Sequence, residues 1–121
     1  KILPQALHHC GETAEEAGKR LDIAPKYWKK IVKGSLYPEK NTVFALALVT
    51  RMQWQDVVSL LAVCGFEFKE DDVRDVVVRY LIEQKIFNEE MRDACLAEYK
   101  LANLPIKKAQ ESASDKLRGN A

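Results

Sequence analysis

The segment PKYWKKIVK, residues 25–33, holds the residues best suited to chemistry in this chain. At 100° per residue, Lys26, Lys29, Lys30 and Lys33 gather within an arc of about 100° of a helix, and Tyr27, Trp28, Ile31 and Val32 take the other side. Pairing like charges at these spacings costs a few tenths of a kcal/mol per pair, and a lysine in the first turn also opposes the helix dipole. Folding gives no reason for that cost, whereas a row of ammonium groups matches the phosphate oxygens of a nucleic acid.

The charge of the whole chain hides this feature. Nineteen basic and eighteen acidic side chains sum to +1. Residues 24–40 nevertheless carry Lys26, Lys29, Lys30, Lys33 and Lys40 against Glu39 alone, a local +4, while residues 67–99 hold ten carboxylates against five basic groups. Two faces with different partners are expected, a basic one for phosphate and an acidic one for protein or solvent.

Other chemistry is poorly served. His8, His9 and Cys10 are adjacent and fan apart on a helix, so they do not converge on a metal. The sequence has no GxSxG elbow, no HExxH and no glycine-rich phosphate loop, and the acidic pairs Asp71–Asp72 and Glu89–Glu90 suit helix starts. Neither an enzyme, a cofactor nor a metal site is expected. Cys10, Cys64 and Cys95 are odd in number and widely spaced, which fits free thiols and a cytoplasmic setting. The longest stretch without polar side chains is the seven residues from Val43 to Val49, far short of the roughly 20 needed to cross a bilayer. Without an initial methionine, the chain reads as a piece of a longer product.

These residues need elements to hold them, and the 121-residue length allows one ordinary core. Apolar spacing is helical almost throughout, so the expected fold is all-α. A first helix spans about Pro4 to His9 or Cys10. Thr13 and Glu16 form a capping-box spacing for a second that ends near Leu21. Pro25 opens the third and Gly34 closes it. Asn41 or Thr42 is expected to cap a fourth that runs to about Met52, and a fifth spans Trp54 to Cys64. A sixth should place Val73, Val76, Val77, Tyr80 and Leu81 on one side, although VVV also admits a strand. A seventh, capped by Asn88, should bury Met91, Ala94, Cys95 and Tyr99. Trp28 reads as core, and Trp54 as a staple or interface residue. The chain is accordingly divided into a core over 1–66, a helical extension packed on it over 67–104, and a flexible tail over 105–121.

Helix, three-residue turn, helix is a geometry that presents the second helix outward. From Thr13 to Val57 the chain resembles the Xre-type, lambda-repressor-like helix-turn-helix family without a gap, at Glu16, Ala17, Leu21, Ile23, Ile31, Gly34, Pro38, Leu46, Ala47 and Val57. The resemblance implies a five-helix core, a bacterial or phage transcriptional regulator, and a third helix that enters the DNA major groove with Lys26, Tyr27, Lys29 and Lys30 toward groove or phosphate. Two departures stand out. Ala14 replaces the glutamine that commonly anchors a phosphate, and Ala24 replaces a small polar cap. With no arginine, asparagine or glutamine between Ala24 and Ser35, binding should rest on phosphate with weak sequence selectivity.

A second stretch, LLAVCGFEF followed by VVVRYLIEQKIFNEEMRDACL, is similar to a tail that follows divergent helix-turn-helix cores in bacterial proteins, often as an accessory domain. It implies an alternative role as a protein-interaction module. The expected nucleic-acid residues are therefore Lys26, Tyr27, Lys29, Lys30, Lys33 and Lys40, with double-stranded DNA as partner. Val73, Val77, Leu81 and Met91 are the expected contacts of a homodimer or a partner protein.

Overall fold

A helix made from Val43–Val49 is apolar on every side and must be enclosed by others. The computed structural model, which describes residues 2–107, places it so. Helix α4 (Lys40–Thr50) buries every residue from Thr42 to Leu48. It touches α2 (Ala14–Arg20), α5 (Trp54–Val63) and α6 (Val73–Glu83). Helix α1 (Ile2–His9) packs on α5, α3 (Pro25–Lys33) on α2, and α7 (Glu89–Glu98) on α6. The described residues thus form seven helices and no strand, and VVV is helical. One hydrophobic cluster runs from Ala6 to Leu104, continuous across the boundary expected near residue 66. No helix among the described residues is long and apolar enough to cross a membrane.

Local chemistry accounts for the helix ends. Thr13 accepts a hydrogen bond from the Glu16 amide at 3.1 Å, Asp72 from the Arg74 amide at 2.9 Å, and Asn88 from the Met91 amide at 3.0 Å. Each satisfies an amide that the first helical turn leaves without a partner. Helix α4 departs from expectation: it starts at Lys40 after Glu39, without a side-chain cap, and Thr42 lies buried inside it. Gly34 closes α3 in the left-handed conformation at φ 85°, which a glycine adopts without strain.

The buried face of α6 is rotated from the apolar side expected, which is split between core and surface. Asp75, Val77, Val78, Leu81 and Ile82 point inward, while Val73, Val76 and Tyr80 are exposed. The apolar run offers two overlapping stripes, and an aspartate between them argues for the wrong one. Asp75 is buried because Lys40 reaches it from α4, Nζ to Oδ2 at 2.6 Å, and the Lys69 amide donates to the same oxygen at 2.8 Å. A paired and hydrogen-bonded carboxylate can occupy a core position that a lone one could not.

Helix α7 differs in the same way. It buries Leu96 and Arg92, whose Nε donates to Asp93 at 3.1 Å, and leaves Met91, Ala94 and Tyr99 exposed with Cys95 half-buried.

The expected flexible tail begins too early at 105. The Asp22 amide donates to the Pro105 carbonyl and the Lys107 amide to the Arg20 carbonyl, both at 2.9 Å, around an isolated antiparallel bridge between Leu21 and Ile106. The remainder of the expected tail, residues 108–121, lies outside the described residues.

Candidate nucleic-acid interface

What holds α3 outward is its apolar side. Trp28 and Ile31 are buried, and the Trp28 indole Nε1 donates to the Ala14 carbonyl on α2 at 2.8 Å. The ring lies so close to Gly18 that α2 has no room there for a side chain. Helix α2 is tied down in turn by Arg20, which donates to the Val49 carbonyl on α4 at 2.6 Å and pairs with Glu12. The indole thus bonds the presented helix to α2, and the guanidinium bonds α2 to α4.

With that side fixed, the lysine face is set by the helical repeat. Lys26, Lys29, Lys30 and Lys33 are all exposed, and none of their ammonium groups has a hydrogen-bond or ion-pair partner among the described residues. Lys30 and Lys33 sit in the last turn, where they favour the helix dipole, whereas Lys26 in the first turn opposes it. Behind Gly34, the Ser35 amide donates to the Lys30 carbonyl at 3.0 Å and pins the end of the helix.

Tyr27 is exposed and lines a groove of about 990 Å³ shared by α3, the segment 36–39 and the chain 103–107. Tyr37 and Lys107 line the same groove, beside Asp22 and Glu39. Sequence reasoning passed over both residues. Tyr37 lies between α3 and α4, in a segment whose proline and polar residues carry no periodic signal, and Lys107 comes beside Asp22 and Tyr27 only through the Leu21–Ile106 pairing.

Lys40 does not belong to this face. Its ammonium group is spent on Asp75 and on the Glu67 carbonyl, 2.9 Å away, and it lies 5.9 Å from the centre of the Phe44 ring. It joins α4 to α6, and the cationic segment of the sequence thus divides into a free face and a structural lysine.

The residues expected to meet a protein partner also divide. Val77 and Leu81 belong to the core at 5% and 0% exposure and cannot form a contact surface, whereas Val73 and Met91 are exposed at 53% and 59%. His9 Nδ1 lies 3.1 Å from Asp56 Oδ2 on α5, and the Cys10 thiol donates to the Ala6 carbonyl at 2.9 Å. Trp54 packs edge-on against Phe68 at 5.4 Å, with the Arg79 guanidinium 5.5 Å from its ring.

Comparison of the chain with protein-family models, with curated proteins and with solved structures yields no match.

Proposed function

We propose that this chain binds double-stranded DNA through the lysine face of α3, as a transcriptional regulator of the lambda-repressor-like helix-turn-helix kind. The observation that carries the reading is the row Lys26, Lys29, Lys30 and Lys33, exposed and with ammonium groups unpartnered among the described residues, on a helix whose opposite side is anchored by Trp28. Such a row neutralises phosphates and releases condensed counterions, a sequence-independent source of affinity. The resemblance of Thr13–Val57 to that family supports the same helix as the one that enters the major groove.

The mechanism follows from the side chains present. Lysine meets phosphate as a point charge and lacks the fork by which arginine grips guanine, so the face fixes position on the duplex more than it reads bases. Tyr27 and Tyr37, at the groove beside α3, supply hydroxyl donors suited to sugar and phosphate oxygens. Ala14 and Ala24 supply no contact where the family commonly does, which again leaves lysine as the main source of affinity.

The test is fluorescence anisotropy of a labelled mixed-sequence duplex, titrated at several salt concentrations with the native chain and with a Lys29→Glu, Lys30→Glu double variant. The expected log K falls with log salt at a slope of about −3 to −5, and the variant loses binding. Equal affinity of the variant, or no binding at low salt, would end the proposal.

A further inference from the structure

Helices α6 and α7 leave two apolar stripes side by side and exposed among the described residues. Val73, Val76 and Tyr80 from α6, with Ala94 and Cys95 from α7 and Tyr99 at its C-terminal cap, line one groove of about 650 Å³. Met91, one turn before Cys95, is exposed and extends the stripe on α7. Apolar side chains exposed in this way are the usual mark of an interaction site when they adjoin one another.

The charged residues of the groove say what kind of partner it fits. Glu70, Asp71 and Glu98 line it, and among the described residues no lysine, arginine or histidine does. A second copy packed two-fold on the same face would add a second set of carboxylates and no described cationic group to pair with the first, which disfavours association. A partner with cationic groups beside its apolar ones meets no such penalty. We propose that the α6–α7 groove receives an amphipathic helix of another protein. Apolar side chains spaced i, i+3 or i+4, i+7 lie between the stripes, and lysine or arginine faces Glu70, Asp71 and Glu98. None of the groove residues lies on α3, so this inference stands apart from the DNA reading.

The experiment uses the full chain, isotopically labelled for NMR, and two synthetic helical peptides of about four turns. One has leucine at i, i+3, i+4 and i+7 with lysine elsewhere, and its twin has glutamate for every lysine. The lysine peptide is expected to shift the amides around Val76, Tyr80, Cys95 and Tyr99, and the glutamate twin to leave them unmoved. A Val76→Ser, Tyr80→Ser variant should bind about tenfold more weakly or worse, as loss of central anchors requires. An Asp71→Lys, Glu98→Lys variant should lose its preference for the lysine peptide. Both pairs change exposed positions, and circular dichroism checks that each variant stays folded. Equal binding of the two peptides, binding by neither, shifts confined to other helices, or full affinity in the serine variant would overturn the proposal. So would a dimer of the native chain that Val76→Asp dissociates, because a second copy would then cover the groove.

Discussion

Gly18 lies under the Trp28 indole so closely that a Cβ on the glycine would fall 2.3 Å from Nε1 and 2.4 Å from Cδ1. The glycine thereby sets the spacing of α2 and α3. A Gly18→Ala variant gains about 1 kcal/mol of helix propensity, yet it must displace a ring that is itself bonded to the Ala14 carbonyl. Overpacking of this kind costs about 1–3 kcal/mol before any lost hydrogen bond is counted. Net destabilisation is expected, seen as a lower midpoint in urea with little change in slope. An unchanged or raised midpoint would mean that α2 and α3 separate without cost.

Lys40 and Asp75 provide a second test, which also separates structure from binding. Asp75 is 2% exposed, and without Lys40 its carboxylate would keep only the Lys69 amide and the protein's remaining dipoles. Removing one partner of a fully buried pair costs about 3–5 kcal/mol, and the partial exposure of the lysine side chain, 21%, places Lys40→Met at the lower end of that range or below it. The double variant Lys40→Met, Asp75→Leu should recover most of the loss in chemical denaturation. A single Lys40→Met variant as stable as the native chain would show that the pair contributes nothing.

These two relationships also mark where the sequence was legible. Helix positions came from capping residues, from Pro25 and Gly34, and from apolar spacing, all of which act within a few residues. The lysine face of α3 was legible for the same reason, since one helical repeat sets it. The buried faces of α6 and α7 were not. Their rotation depends on Asp75 meeting a lysine from a distant helix and on Arg92 lying buried beside Asp93, and in each case a charged residue that sequence patterning assigns to the surface faces inward. Lys40 was misread by the same logic in reverse: its charge fits the basic segment, and only the fold reveals Asp75 beside it. Tyr37 and Lys107 joined the α3 groove through loop and terminal pairing, which leaves no periodic signal.

The thiols should respond to pH in a defined direction. Burial raises the Cys10 thiol above its ordinary value of 9.0; nearby Asp56 and Glu12 add to the rise, and the Thr50 side chain opposes it. Burial alone raises Cys64 from the same value. Both groups hold their protons more tightly when folded than when unfolded. Their contribution to stability is therefore complete below about pH 9, and is lost as the pH rises through the raised values. Alkylation of the folded chain should be slow at neutral pH at both positions, with rates still climbing above pH 9, as peptide mapping after timed iodoacetamide labelling would record. Labelling at the rate of an unfolded chain at neutral pH would contradict this.

The pairing of Leu21 with Ile106 makes the last described residues part of the fold. Two backbone hydrogen bonds flank it, Asp22 to Pro105 and Lys107 to Arg20, and Leu104 is buried at 6% exposure just before it. Each bond contributes about 0.5–1.5 kcal/mol net, and together they hold the chain against the turn between α2 and α3. Hydrogen exchange should show the Asp22 and Lys107 amides protected. An Ile106→Gly variant should speed exchange at both, because a glycine has more backbone entropy to lose and no side chain to pack. Because Lys107 lines the groove beside Tyr27, loosening this strap should also weaken duplex binding modestly, by less than the double reversal at Lys29 and Lys30. Fast exchange at both amides in the native chain would show that the strap does not persist in solution, and Lys107 would then be lost from the candidate interface.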